Sequence, residues 1–185
     1  MSETLAFGGI DTALGRLLAG VTETGVAWFT FHDTPAVRER AAKTIALPVV
    51  DDPHRLEPVL ARVADYFAGG LKEFDLPIDW RLTSRLQQQV LTTLYETVGY
   101  GAVLTYGELG DRSGAAVPAQ AIGQVMGSNP IPLIVPCHRV VASNGLGGYS
   151  GGSGIEVKRW LLTLEGHLPP TLDWDPTHFT PTQHA

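Results

Sequence analysis

Short apolar runs open the chain, and the turns between them contain glycine, a pattern that predicts β-strands. The predicted strands cover residues 5–10, 16–19 and 26–31. From Leu56 to Phe67 the apolar positions recur at helical spacing, which predicts a helix that ends at the following glycine pair. Residues 75–81 combine prolines with charges and predict a linker between two halves of the chain.

The second half carries clearer helix signals. Residues 86–98 form an apolar stripe at helical spacing, and Thr83 or Ser84 can cap its start. The segment Thr105–Glu108 has the capping-box pattern of another helix, which Gly114 can end. We therefore expect two helices here, joined by a short loop.

A third helix of this half is predicted from Pro118, a residue tolerated in a first turn, to Met126. With the preceding short helix and the glycine-containing turn, it predicts a helix-turn-helix. Residues 155–164 predict one further helix, and the proline- and threonine-rich tail from Pro169 is predicted to be flexible.

Small side chains dominate the second helix of the predicted helix-turn-helix and the turn before it. They are Ala115, Ala116, Ala119, Ala121 and Gly123. Two interpretations are open: close packing against a neighbouring helix, or a backbone that can approach a ligand as flat as a nucleic-acid groove.

Composition narrows the classes of protein. Hydrophobic residues make up 44% and charged residues 17%, which is enough to build a core and excludes a wholly disordered chain. No apolar run approaches the ~20 residues of a membrane span, and the start lacks the pattern of a signal peptide. The single cysteine, Cys137, cannot form an internal disulfide. We therefore expect a cytoplasmic protein with no membrane partner.

The charge distribution alone does not favour a nucleic-acid partner. The net charge is −6, and residues 85–168 carry 5 Lys or Arg against 5 Asp or Glu. No segment is a polycation, so DNA binding would have to use a locally basic face, helix N-termini or backbone amides.

The candidate chemistry lies in the segment Asn129–Val141, where three prolines restrict the backbone around Cys137. A thiol acts as a nucleophile only as the thiolate and needs a base nearby. On the extended backbone that we expect here, His138 points away from Cys137, so a bridging water is the natural proton relay. Glu165 is the best-placed carboxylate to fix the histidine tautomer.

Three motifs in this half resemble one known family. They are Pro136–Val140 (PCHRV), Gly148–Gly152 (GYSGG) and Leu161–His167 (LLTLEGH). They are similar to the motifs of the O6-alkylguanine-DNA alkyltransferases, also called methylated-DNA–protein-cysteine methyltransferases. The resemblance runs from about residue 83 to 168, and a weaker one covers residues 4–80.

The resemblance implies a ribonuclease-H-like α/β domain over residues 1–80 and a mainly helical domain over residues 83–168. The second domain would hold the active site and a winged-helix-like helix-turn-helix, and residues 169–185 would form a flexible tail. It also implies a monomer that binds double-stranded DNA containing O6-alkylguanine and needs no cofactor and no metal. The damaged base would rotate out of the stack, and the cysteine would take its alkyl group once.

The resemblance assigns roles residue by residue. The catalytic set would be the acceptor Cys137, the base His138, its orienting partner Glu165 and Tyr106, a donor to the leaving guanine. The substrate pocket would comprise Asn129, Met126, Pro132, Tyr149, Gly148 and Ser150, the last through its backbone N–H. The DNA-binding set would be Ala119, Gln120, Ala121, Gly123 and Arg139.

One position departs from the family pattern. The recognition helix of the family usually reads Ala-Arg-Ala-Val-Gly, whereas residues 119–123 read AQAIG, so Gln120 replaces the arginine that fills the gap left by the rotated base. Losing such a contact costs about 1–3 kcal/mol. Two alternatives to DNA repair therefore stay open: a cysteine enzyme for a small alkylated metabolite, and a damage-binding module without chemistry.

Overall fold

The computed structural model describes residues 2–152 and 154–180, which belong to two units that meet in sequence between Leu82 and Thr83. In the first unit, glycine-containing turns separate three strands, as predicted. Its strands are β1 (Leu5–Thr12), β2 (Gly15–Val21), β3 (Val26–Thr30) and β4 (Val49–Val50). They form a mixed sheet in the order β3-β2-β1-β4, in which only β4 runs parallel to its neighbour.

Two helices complete the first unit, α1 (Pro35–Ile45) and α2 (Pro53–Phe67). Each begins at a proline, and the side chains of Thr34 and Asp52 accept hydrogen bonds from the first-turn amides. The apolar stripe of α2 packs on β1, which buries one face of the sheet.

The predicted linker over residues 75–81 is wrong, because this segment is part of the first unit. Val26 and Pro77 share a backbone hydrogen bond of 2.9 Å, and the amide of Asp79 donates to Val26 O, also at 2.9 Å. The Thr22 hydroxyl donates to the buried carboxylate of Asp79 at 2.5 Å. The prolines interrupt regular secondary structure in this segment, but its backbone still hydrogen-bonds to β3.

The second unit is mainly helical. Its elements are α3 (Arg85–Thr97), β5 (Leu104–Thr105), α4 (Tyr106–Ser113), α5 (Ala119–Gly127), β6 (Val140–Val141) and α6 (Ile155–Leu164). Capping boxes begin α3 at Ser84 and α4 at Thr105, and α4 ends at Gly114, as the sequence predicts. The short strands β5 and β6 pair in parallel and hold the start of α4 beside the Cys137 segment.

Helices α4 and α5 form the predicted helix-turn-helix, packed on each other and on α3. A glycine permits the close packing: a Cβ atom at Gly110 would lie 3.3 Å from Ile122 Cγ1. Thus α3 and α4 fix one side of α5. The described helices all fall short of the length and apolar character that a membrane span requires.

The start of the predicted flexible tail carries one aromatic contact. The rings of Trp160 on α6 and Trp174 lie 6.2 Å apart, centroid to centroid. The prediction of flexibility over residues 169–185 is not tested by this contact, and residues 181–185 lie outside the described part of the chain.

Candidate active site

The cysteine lies in a tight turn, so the predicted extended backbone is wrong. Residues Cys137–Arg139 form a 3-10 helix, and the Cys137 amide donates to Val135 O at 2.8 Å. Upstream, Leu133 adopts a left-handed backbone with φ 72°. Each proline fixes its own φ and restricts the residue directly before it, and neither restriction reaches Leu133 or Cys137.

Asn129 braces this turn with both ends of its side-chain amide. Its Nδ2 donates to Val135 O at 3.0 Å, and its Oδ1 accepts from the Ile131 amide at 3.0 Å. The side chain therefore holds the loop between α5 and Cys137 in one conformation.

The Cys137 thiol is enclosed, with 5% of the residue exposed. Burial raises the pKa of the thiol, while hydrogen bonds from Asn129 and Tyr149 and the charge of Lys158 oppose that rise. The thiol is therefore protonated at neutral pH and needs a base to become a nucleophile.

The candidate base, His138, lies next in sequence and contacts a carboxylate. His138 Nε2 lies 2.7 Å from Glu165 Oε1, and both residues are buried. Since an ionised carboxylate only accepts hydrogen bonds, Nε2 carries the proton and Nδ1 keeps its lone pair. His138 Nδ1 is itself buried and has no hydrogen-bond partner among the described residues.

The charges of this pair are set by their surroundings. Burial lowers the pKa of His138 by more than Glu165 raises it, and Arg139 and Lys158 add to the lowering, so the ring is neutral at pH 7. Burial alone would raise the pKa of Glu165, but His138 and Arg139 outweigh it and hold that pKa well below its usual range. A neutral imidazole therefore faces a fixed negative charge.

Arg139, which the resemblance assigns to DNA binding, is buried and makes its hydrogen bonds inside the unit. Its guanidinium makes two hydrogen bonds of 2.9 Å to Glu165 and one of 2.8 Å to Val98 O. It also stacks 5.9 Å from the ring centroid of Tyr100. The family motif alone could not reveal that this arginine turns inward to clamp the carboxylate.

Tyr106 is the first residue of α4 and lies beside the glycine-rich loop. A Cβ atom at Gly147 (φ 74°) would lie 2.7 Å from the Tyr106 hydroxyl, so only glycine lets the loop come this close. Burial raises the pKa of Tyr106, and Cys137 adds to the rise. The phenol is thus a proton-bearing donor at neutral pH.

Sequence reasoning missed one charged residue of the site, Lys158. It is fully buried on α6 and donates to Val140 O at 2.6 Å and to Gly148 O at 3.1 Å. Its ammonium lies 5.9 Å from the ring centroid of Tyr106. The available signal was its place on the apolar face of α6, three and four positions before the buried Leu161 and Leu162.

The remaining predicted pocket residues differ in exposure. Met126 is buried, Pro132 and Tyr149 are half-buried, and Gly148 and Ser150 are exposed. Burial raises the pKa of Tyr149 far above its ordinary value. The Ser150 hydroxyl donates to Gly127 O at 3.2 Å, which ties the glycine-rich loop to the end of α5.

The predicted DNA-binding residues of α5 are exposed or half-buried. Ala119 and Gln120 are exposed, while Ala121 and Gly123 are half-buried. A Cβ atom at Gly123 would lie 3.9 Å from Tyr106 Cε1, so this end of the helix faces the same tyrosine as the loop. In the described part of the chain, no three His, Cys, Asp or Glu side chains are grouped to hold a metal ion.

Comparisons with known proteins identify similar chains. The family described as 6-O-methylguanine DNA methyltransferase, DNA binding domain, matches residues 85–167. The methylated-DNA–protein-cysteine methyltransferase of Mycobacterium tuberculosis is 45% identical over 120 residues, which are 64% of this chain and 70% of the relative. The human protein of that name is 34% identical over 170 residues, covering 85% and 79% of the two chains.

A solved structure is similar over most of both chains. The crystal structure of Mycobacterium tuberculosis OGT in complex with DNA matches with a TM-score of 0.71 and 33% identity. The match covers 87% of this chain and 93% of that one. The likeness therefore extends over the strands of the first unit as well as the helices of the second.

Proposed function

Because the chain belongs to the methylated-DNA–protein-cysteine methyltransferase family, we propose that Cys137 is the residue that receives the alkyl group. The chain acts in DNA repair: it transfers a methyl group from O6 of guanine in DNA to its own cysteine. The protein is consumed, because the thioether that forms is stable and each chain has one cysteine. The metabolite-directed alternative receives no support from the comparisons.

The observation that carries the assignment is the buried thiol followed directly by a histidine whose far nitrogen is held by Glu165. In the proposed first step, the Cys137 proton moves through a bridging water to Nδ1 of His138. The imidazolium that forms gains a direct ion pair with Glu165. Arg139 keeps that carboxylate ionised and oriented.

In the second step the thiolate attacks the methyl carbon at O6. A sulfur–carbon bond forms, the carbon–oxygen bond breaks, and the electron pair stays on the guanine. Donors aimed at the leaving base lower this barrier. Tyr106 and the backbone N–H of Ser150 are the proposed donors, and Met126, Pro132, Gly148 and Tyr149 form the proposed pocket walls.

Duplex DNA is the partner, and α5 is the proposed contact with it, through Ala119, Gln120, Ala121 and Gly123. The small side chains allow the helix backbone to approach a groove, and Gln120 can offer its amide to the base left unpaired. Base rotation would bring the alkylated guanine to the cysteine. Consistent with this role, we propose a cytoplasmic monomer with a ribonuclease-H-like first domain and a winged-helix-like second domain.

Intact mass tests the function. The protein is mixed with a duplex carrying one O6-methylguanine, with the same duplex unmethylated, and with the free methylated base. We expect one methyl group per protein molecule from the methylated duplex, with the yield limited by whichever component is scarcer. Unchanged mass with the methylated duplex would refute the assignment.

A further inference from the structure

Glu165 lies where α6 ends, and a tyrosine from another part of the chain supports that end. The last four carbonyls of a helix have no partner within it, and Glu165 is the residue that caps them here. The amides of residues 165–168 donate to the carbonyls of residues 161–163 at 2.9–3.2 Å. The carbonyl of Leu164, directly before Glu165, accepts from the hydroxyl of Tyr100 at 3.0 Å. Tyr100 therefore fixes the backbone from which the Glu165 side chain extends.

The ring of Tyr100 contacts the other partner of the same carboxylate. The guanidinium carbon of Arg139 lies 5.9 Å from the ring centroid, and the guanidinium donates to both carboxylate oxygens of Glu165. A guanidinium over an aromatic face is attracted to it and is held in a defined orientation. One side chain thus holds the backbone before Glu165 through its hydroxyl and the arginine that grips Glu165 through its ring.

The backbone around Tyr100 brings the ring to this place. Gly101 has φ 79°, and a Cβ atom there would lie 3.1 Å from Glu165 O, so glycine lets the chain pass this close to the end of α6. On the other side of Tyr100, Val98 O accepts from Arg139 at 2.8 Å. Residues 98–101, between α3 and β5, therefore lie against both Arg139 and the end of α6.

The charges near Tyr100 keep its proton on the hydroxyl. Burial raises the pKa of Tyr100, and the charge of Glu165 adds to the rise, while Arg139 opposes it. The phenol is therefore a hydrogen-bond donor at neutral pH. Glu165 in turn contacts Nε2 of His138, so the group that Tyr100 supports is the one that orients the proposed base.

We propose that Tyr100 is a positioning residue for alkyl transfer: its hydroxyl and its ring hold Glu165 and Arg139 in the arrangement that orients His138. The proposal rests on the proposed role of His138 as the base for Cys137. When the histidine takes the thiol proton, it becomes an imidazolium. A carboxylate displaced from Nε2 stabilises that cation less, because the attraction between charges falls with distance.

The test uses two variants of Tyr100 and a control in the full chain. Tyr100→Phe removes the hydroxyl and keeps the ring beside Arg139, whereas Tyr100→Leu removes both. Tyr66→Phe is the control, because it removes a hydroxyl from a buried tyrosine of the first unit. Urea denaturation first establishes that each variant is folded.

Two measurements follow on the folded proteins. The proton on Nε2 of His138 is observed by NMR without DNA and is identified by its absence in His138→Gln. The rate of methyl transfer from methylated duplex is measured in single turnover across the pH range, at saturating duplex.

We expect Tyr100→Phe to slow transfer at neutral pH by about two- to tenfold, the rate equivalent of one neutral hydrogen bond, and Tyr100→Leu to slow it further. The loss should shrink at alkaline pH, where hydroxide ionises the thiol without the base. The Nε2 proton should exchange with water faster in both variants, and Tyr66→Phe should match the wild type in both measurements.

A wild-type pH–rate profile in the folded Tyr100 variants would overturn the proposal, whatever happens to the Nε2 proton. A loss of rate that is equal at neutral and alkaline pH would also overturn it, because such a loss indicates general disturbance of the structure. The wild-type chain is measured alongside. Its failure to accept methyl from DNA would refute the function itself and is thereby distinguished from a failure of this proposal.

Discussion

His138 and Glu165 lie 27 residues apart in the chain, yet Nε2 of the histidine and Oε1 of the glutamate are 2.7 Å apart in a buried site. The contact joins the turn after Cys137 to the end of α6. It settles which ring nitrogen carries the proton, because the carboxylate can only accept. The opposite nitrogen, Nδ1, thereby keeps its lone pair, which suits it to the role of proton acceptor that we propose for it.

Replacing His138, the proposed base, should slow methyl transfer without removing the nucleophile. We expect His138→Gln to reduce the rate of methyl transfer at neutral pH by about 10²–10⁴-fold, the range found for general bases. The loss should shrink at alkaline pH, where hydroxide ionises the thiol directly. Single-turnover kinetics with methylated duplex across the pH range measure both effects.

The matched control is His167→Gln, because His167 is exposed two residues after Glu165. It should transfer methyl at the wild-type rate. If His138→Gln were equally fast at neutral pH, the assignment of His138 as the base would be wrong.

The same histidine should make stability depend on pH. Its pKa is lower in the folded chain than in the unfolded chain, because burial opposes the charged form. Below about pH 6.5, the ordinary pKa of histidine, the unfolded chain binds a proton that the folded chain does not. Stability is therefore highest above that pH and falls as the pH is lowered, by up to about 1.4 kcal/mol per pH unit for this one group.

Glu165 also makes the folded chain less stable as the pH falls, but over a lower pH range than His138. Its pKa is also depressed on folding, so its contribution is present above about pH 4.5 and is lost as the pH falls further. Urea unfolding between pH 7.5 and about pH 5 separates the histidine contribution. We expect a shallower pH dependence in His138→Gln than in the wild type or His167→Gln, and equal slopes would contradict it.

Arg139 should matter for stability more than for DNA affinity. Its removal leaves Glu165 as a buried charge with only a neutral histidine beside it. We therefore expect Arg139→Met to lower the free energy of unfolding by about 3–5 kcal/mol, as for other broken buried ion pairs. Urea denaturation measures the change.

The control is Arg112→Met, since Arg112 is exposed and hydrogen-bonds only to Thr97 in the described contacts. It should change stability by no more than about 0.5 kcal/mol. A stable Arg139→Met with a weaker salt dependence of DNA binding would restore the surface role predicted from sequence.

Replacing Gln120 with arginine should strengthen repair. It is exposed at the start of α5, and it stands where the family usually has arginine. We expect Gln120→Arg to bind methylated duplex about tenfold more tightly and to transfer methyl faster, because a charged, longer side chain better replaces the rotated base.

Gln124→Arg provides the comparison, because it adds the same charge one turn further along α5 at another exposed position. Both variants add a positive charge that attracts the DNA phosphates, so both should bind duplex more tightly. Only a larger increase in affinity for Gln120→Arg than for Gln124→Arg supports the placement of residue 120 beside the rotated base. Equal gains would mean that residue 120 does not occupy that position.

Local signals predicted most of the secondary structure of the second unit. Capping residues act within one helical turn, so Ser84, Thr105 and Gly114 mark helix ends without information from the rest of the chain. The apolar stripe over residues 155–164 likewise coincides with α6. These features are independent of long-range contacts.

The errors arose where distant contacts decide the structure. Residues 75–81 pack on β3, and that pairing cannot be inferred from their prolines. The backbone at Cys137 turns because the surrounding loop is held by Asn129, which acts over six residues. Arg139 and Lys158 look like surface charges in the sequence, and only the fold reveals the buried acceptors that they reach.

The central claim is that the Cys137 sulfur accepts the methyl group. Wild-type protein and Cys137→Ala are each mixed with duplex containing O6-methylguanine and then digested, and all of the resulting peptides are weighed by mass spectrometry. Binding of each protein to the duplex is measured in parallel. The account predicts one added methyl on the wild-type Cys137 peptide, none anywhere in Cys137→Ala, and duplex binding by both. A methyl group on any other residue, or transfer that persists in Cys137→Ala, would contradict it.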